Sequence, residues 1–155
     1  MTIEEPKASR IENDALIIET QSTTEVYDAK YLVSALLVFV AKGDGQISSE
    51  ETAEMLRLVS DHFDLQSSQS LELLTRAMAD IAENPDFESL LKELAVLLGE
   101  IEKEDVCLMM LKVVAADGRR EVDELEKFQR AATIIGIPAE TLHRAYDRYF
   151  AETMS

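Results

Sequence analysis

Two short acidic stretches carry the residues of this chain that are best suited to chemistry. In each, an apolar run meets an Asp-Gly pair, and a glutamate follows seven residues after the aspartate. The aspartates are Asp44 and Asp117, and the glutamates are Glu51 and Glu124. The same offset separates the two aspartates and the two glutamates, which indicates an internal duplication. If folding brings the two corners side by side, their four carboxylates share one site.

Carboxylate oxygens are hard ligands, so we expect such a site to take calcium, magnesium or manganese rather than zinc. An EF-hand is excluded: with Gly45 as its glycine, Val40 and Lys42 would stand at ligand positions. Two carboxylates about 4 Å apart repel by roughly 4 kcal/mol at an effective dielectric near 20. Four of them therefore require a cation, bound protons, or the neighbouring Lys42, Arg119 and Arg120.

A purely structural interpretation of the acids stays open beside the metal site. Ser48 and Glu51 have the spacing of a capping box, which would explain that glutamate without a ligand. Asp44 precedes a glycine and can satisfy turn amides. The capping box does not repeat at Glu124, because the residue three positions before it is Glu121 and not Ser or Thr. Acidic residues in a first helical turn are nevertheless favourable.

Charge and composition narrow the classes of function. The chain has 155 residues and a formal net charge of −16, which disfavours nucleic acids and anionic membranes and favours cations or basic partners. It lacks an apolar run of about 18 residues, so we expect no membrane insertion. Its first residues do not resemble a signal peptide, which predicts a cytoplasmic protein. Cys107 is the only cysteine and lies among apolar residues, so we expect it to be buried.

Hydrophobic periodicity predicts an all-α fold, a compact bundle of about seven helices built from two helix-corner-helix units. We expect residues 1–26 to form an acidic N-terminal arm with one short helix or strand, docked on a helical domain over residues 27–152. The arm could also exchange with a second copy, so a homodimer is left open. The predicted helices are Tyr27–Lys42, Ser48–Asp64, one from Ser67 or Ser68, one from Pro85, Lys103–Ala116, Val122–Ile135 and one from Pro138.

Other catalytic signatures are absent from the sequence. His143 lies one helical turn from Asp147, and Asp61, His62 and Asp64 are close in sequence, but exposed histidines are the commoner explanation. Phosphate-binding loops, nucleophile elbows and the usual zinc motifs are missing. We therefore expect a non-catalytic protein, with a metal-dependent hydrolase as the alternative.

The paired corners resemble those of the tellurite-resistance TerB family, especially its small stand-alone members. The resemblance lies in Leu36–Glu51 and in Leu111–Glu124, and Asp86–Leu91 stands where the family carries an Asp and aromatic segment. It extends over about residues 27–150. Two positions depart from the usual pattern: Gly43 before the first aspartate, and the pair Arg119-Arg120 after the second Asp-Gly.

This resemblance implies a compact all-helical domain of two related halves. Relatives occur in tellurite and stress-response operons, and a similar domain begins a membrane-anchored DnaJ-like co-chaperone. Those contexts imply a module that interacts with a protein partner or senses a signal. They are less typical of an enzyme. The resemblance also implies metal binding by the motif acids, which are Asp44, Glu51, Asp117 and Glu124 in this chain.

Overall fold

The computed structural model describes residues 8–12, 15–19, 24–42, 47–116 and 122–153, with side chains in 27–42, 47–116 and 126–152. The described part is a helical bundle preceded by three short strands, so the predicted seven-helix domain is confirmed. The helices are α1 (Ala29–Ala41), α2 (Ser49–Phe63), α3 (Ser67–Glu83), α4 (Phe87–Leu94), α5 (Glu100–Ala115), α6 (Val122–Ile134) and α7 (Ala139–Thr153). The strands are β1 (Ala8–Glu12), β2 (Ala15–Glu19) and β3 (Thr24–Asp28).

Helix α1 is the centre of the bundle. Every residue from Tyr31 to Ala41 is buried, as its nearly continuous apolar sequence predicts. Asp28 begins the helix by accepting a hydrogen bond from the backbone N–H of Tyr31 at 3.0 Å. The helix packs against α2, α3, α4, α5 and α6.

Some of the helix contacts follow a symmetric pattern, although the packing of α2 against α3 has no equally extensive counterpart between α6 and α7. Helix α1 packs against α3 as α5 packs against α7, and α1 and α5 also pack against each other. In addition α1 contacts α6, while α5 contacts α2. Exchanging α1–α3 with α5–α7 preserves these four contacts.

The N-terminal segment differs from the expected single short helix or strand. Strands β1, β2 and β3 form an antiparallel sheet in that order, with Leu16 opposite both Ile11 and Tyr27. Tyr27, which we predicted to be helical, lies in β3. Strands of five residues offer too few alternations for a clear periodic signal, and their backbone pairing depends on neighbouring strands.

Helix boundaries follow local chemistry. Helix α5 begins at Glu100, before the predicted Lys103, because Gly99 is extended and the acidic first turn suits a helix N-terminus. Gly136 ends α6 with φ +70°, and the N–H of Ile137 donates to the carbonyl oxygen of Ala132 at 2.9 Å. Among the helices of the described ranges, none has the length and hydropathy needed to cross a membrane.

Candidate metal site at the α1–α2 corner

The structure places one of the four predicted acidic side chains. Glu51 lies in the first turn of α2. Asp44 and Asp117 lie outside the described residues, and so do Arg119 and Arg120. Glu124 belongs to α6, but its side chain is also outside the description. Convergence of the four acids therefore stays a prediction.

Glu51 closes the capping box that its spacing predicts. The Ser48 hydroxyl accepts the backbone N–H of Glu51 at 3.0 Å, and Glu51 Oε1 accepts the backbone N–H of Ser48, also at 3.0 Å. Both reciprocal bonds of the box are therefore present. This part of the structural interpretation is confirmed, and it occupies one of the two carboxylate oxygens.

The second oxygen of Glu51 is not explained by the box. The residue is only 1 % exposed, and Oε2 is buried without a hydrogen-bond partner among the described residues. Leaving a buried polar group unpaired costs about 1–3 kcal/mol, and more when the group is charged. A bound cation would remove this cost. A carboxylate oxygen is also a ligand type that hard divalent cations prefer, so this residue fits the predicted site.

The middle of α6 lies close to the end of α1. The Lys127 ammonium group stands 4.7 Å from the centre of the Phe39 ring. Phe39 is two residues before the end of α1, and Lys127 is three residues after Glu124. The helix that carries Glu124 thus approaches the helix that leads into the Asp44 corner.

The remaining candidates from the sequence are exposed or inert. His143 and Asp147 are 3.9 Å apart with side chains 81 % and 70 % exposed, and His62 is an exposed residue packed edge-on against Phe63. Cys107 is fully buried as predicted, and burial raises its pKa to about 12. Within the part of the chain that the structure describes, His, Cys, Asp and Glu form no group of three suited to a metal ion.

A cleft between α2, α5 and α7 was not found by the sequence analysis. It has a volume of about 350 Å³, and its wall carries three cations and three carboxylates: Arg57, Lys112, Arg148, Asp61, Asp105 and Glu152. These residues come from three helices that are far apart in sequence, so no motif spacing connects them.

Comparison with known proteins agrees with this helical architecture. The family model described as "Tellurite resistance protein TerB" matches residues 30–147. No curated protein matches the chain. A crystal structure of the protein of unknown function PG1108 from Porphyromonas gingivalis W83 is similar, with a TM-score of 0.56 and 22 % sequence identity. The match covers 78 % of this chain and 94 % of that one, and at this identity it shows the fold alone.

The fold defines a helical domain with a central buried helix and an acidic corner at its end. The family match extends over most of the domain, from the second residue of α1 to the middle of α7. The chain therefore belongs to the TerB family.

Proposed function

We propose that this chain is a non-catalytic TerB-family domain that binds a divalent cation at the α1–α2 corner and communicates with a protein partner. The observation that carries the proposal is the buried, unpaired Oε2 atom of Glu51. A capping role needs only Oε1. The second oxygen is therefore available as a cation ligand, in the place where the family resemblance puts one.

The other ligands of the proposed site are Asp44, Asp117 and Glu124. The support for joining the two corners is the approach of α6 to the end of α1, seen at Lys127 and Phe39. The symmetric packing of α1–α3 and α5–α7 also supports an origin by duplication. Calcium, magnesium and manganese match the oxygen donors better than zinc.

Calorimetric and thermal titrations with each of the four cations test the site. We expect a cation at about 100 times its Kd to stabilise the protein by about 2.7 kcal/mol. Glu51→Gln should abolish this effect, because the amide keeps an oxygen for the Ser48 N–H and removes the charge. Glu50→Gln is the matched control, since Glu50 is an exposed neighbour with the same charge.

Absence of heat and of a melting shift at millimolar concentrations of all four cations would favour the alternative, a structural or interaction module in which Glu51 acts only as a cap. Equal shifts in Glu51→Gln and the wild type would also contradict the proposed site. The complete capping box is the observation that favours this second candidate. A phosphatase and esterase screen with added manganese tests the hydrolase alternative, and we expect no turnover.

The partner remains a proposal that rests on the family and on charge. With a net charge of −16, a basic protein surface is the partner class that electrostatic attraction favours. Pull-down with and without the bound cation would test the coupling. Equal recovery of the partner under both conditions would show that partner binding does not depend on the cation.

A further inference from the structure

The connection between α4 and α5 exposes two large aliphatic side chains. Val96 lies in the 3₁₀ turn Ala95–Leu97 that follows α4, and Ile101 lies in the first turn of α5. They are 71 % and 81 % exposed, the highest values among the large hydrophobic residues of the described ranges. Single exposed apolar residues are ordinary, whereas apolar residues grouped at one place mark interaction surfaces.

The packing of the bundle does not require these two side chains. Leu98, which lies between them in the chain, is 6 % exposed and anchors the connection in the core. Gly99 follows in extended backbone at the start of α5. If Gly99 carried a Cβ atom, the nearest described atom outside its chain neighbours would be Oε1 of Glu102, 3.9 Å away. The backbone between Val96 and Ile101 is therefore open to an approaching molecule.

The charges around the two aliphatic residues are mostly negative. Glu93, Glu100 and Glu102 are exposed, and Lys92 is the one exposed cation of residues 92–102. The ammonium group of Lys103 is directed to the end of α6, 4.0 Å from the point where a Cβ atom on Gly136 would lie. A partner of matching chemistry therefore has apolar side chains flanked by lysine or arginine. A second copy of this chain would bring like charges together.

We propose that Val96 and Ile101, with Glu93, Glu100 and Glu102, form the docking surface for a short basic amphipathic segment of another protein. Its apolar side chains cover Val96 and Ile101, and its lysine or arginine side chains pair with the three glutamates. The apolar contact provides affinity, and the charges select and orient the partner. This inference rests on the protein partner of the proposed function but uses none of the proposed cation ligands.

NMR titration of the methyl groups in cation-free buffer tests the docking surface, with a short amphipathic peptide of lysine and leucine as the probe. We expect the largest shifts at Val96 and Ile101. The double variant Val96→Ser/Ile101→Ser should bind at least about tenfold more weakly, because two apolar contacts are lost. Leu71→Ser is the matched control and should bind as the wild type does, since Leu71 is a 50 % exposed leucine on α3.

A second set of measurements tests the charges of the docking surface. The same peptide with glutamate in place of lysine should not bind measurably. Glu100→Gln/Glu102→Gln should weaken binding of the lysine peptide more than Glu50→Gln/Glu72→Gln does. The second pair removes the same charge from exposed positions on α2 and α3, so it separates a local effect from the effect of net charge.

The proposal is overturned if Val96→Ser/Ile101→Ser binds the lysine peptide as tightly as the wild type, if Leu71→Ser weakens binding equally, or if the glutamate peptide binds as well. Sedimentation of the chain alone tests the other occupant. A dimer that Val96→Ser/Ile101→Ser converts to a monomer would assign the surface to a second copy and also overturn the proposal.

Circular dichroism checks the fold of each variant, and Val96→Ala/Ile101→Ala replaces the serine variant if that one does not fold. The cation titration is repeated on the double variant that is used. We expect it to bind the cation as the wild type does, since the docking surface and the metal site share no residue. Failure of peptide binding is thereby distinguishable from failure of the cation site.

Discussion

The α1–α3 and α5–α7 pairs occupy corresponding places in the bundle but are joined by different chemistry. In α1–α3 the Tyr31 hydroxyl donates to Asp80 Oδ2 at 2.5 Å, and the Arg76 guanidinium lies 4.5 Å from the centre of the Tyr31 ring. Burial is the main cause that raises the pKa of Tyr31. This helix pair is held by aromatic burial and by a hydrogen bond that is partly shielded from water.

The α5–α7 pair is linked by ion pairs at the surface. Glu104 accepts from Arg144 Nε at 2.7 Å and from Arg148 Nη1 at 2.9 Å. Arg148 also donates to Asp105, and Lys112 pairs with Glu152. Surface pairs are weakened by salt and by neutralisation of either partner. The comparison teaches that two helix pairs in corresponding places can differ in how strongly their stability depends on salt and pH. The side chains at each contact decide this difference.

The largest expected effect is in the buried helix α1. Leu37→Ala should destabilise the protein by about 2–5 kcal/mol, because Leu37 is fully buried and its removal leaves a cavity. Urea unfolding measures the change. Ile101→Ala, in the first turn of α5, is the control and should change stability by no more than about 0.5 kcal/mol, since Ile101 is 81 % exposed. Similar losses in the two variants would contradict the difference in burial between α1 and the start of α5.

The next effect in size is expected at the α1–α3 hydrogen bond. Tyr31→Phe keeps the ring and removes the hydroxyl, so Asp80 loses its donor, and we expect a loss of about 1–2 kcal/mol in the free energy of unfolding. The loss should be nearly the same in 0.1 M and 1 M sodium chloride, because the bond is partly buried. Asp80→Asn, which keeps an oxygen acceptor, should cost less. A loss that disappears in 1 M salt would show that this interface is not shielded from the solvent.

The smallest effect is expected in the α5–α7 ion pairs, and it should depend on pH. Hydrogen bonds from Arg144 and Arg148 lower the pKa of Glu104. A carboxyl with a lowered pKa in the folded state stabilises the protein above its unfolded pKa of about 4.3, and this stabilisation is lost as the pH falls through the folded value. The difference in unfolding free energy between the wild type and Glu104→Gln should therefore be present at pH 7 and decrease steadily as the pH falls below about 4.3.

The difference in unfolding free energy between the wild type and Glu104→Gln should also decrease in 1 M salt at pH 7. Glu93→Gln is the control with an exposed carboxylate on α4, and it should have a smaller effect at pH 7. If the Glu104→Gln difference stays constant from pH 7 to pH 3, the ion pairs do not stabilise the contact between α5 and α7.

Much of the helical architecture could be predicted from local sequence. The continuous apolar character of α1 predicts a helix buried on all sides, and its residues from Tyr31 to Ala41 are buried. Ser48 and Glu51 predict the start of α2 because a capping box involves only residues within one turn. The sequence predicted one short helix or strand before α1 and not the three-stranded sheet, because each strand is short and its hydrogen bonds are made with other strands.

The candidate sites show the same division between what local sequence predicts and what depends on tertiary packing. The sequence by itself determined which acids could ligate a cation, since residue type and spacing are local properties. Only the tertiary structure revealed that Glu51 Oε2 is buried without a partner, because burial depends on the helices that pack around α2. Only the tertiary structure brought Arg57, Lys112 and Arg148 around Glu152, because three helices distant along the chain must pack before those charges interact.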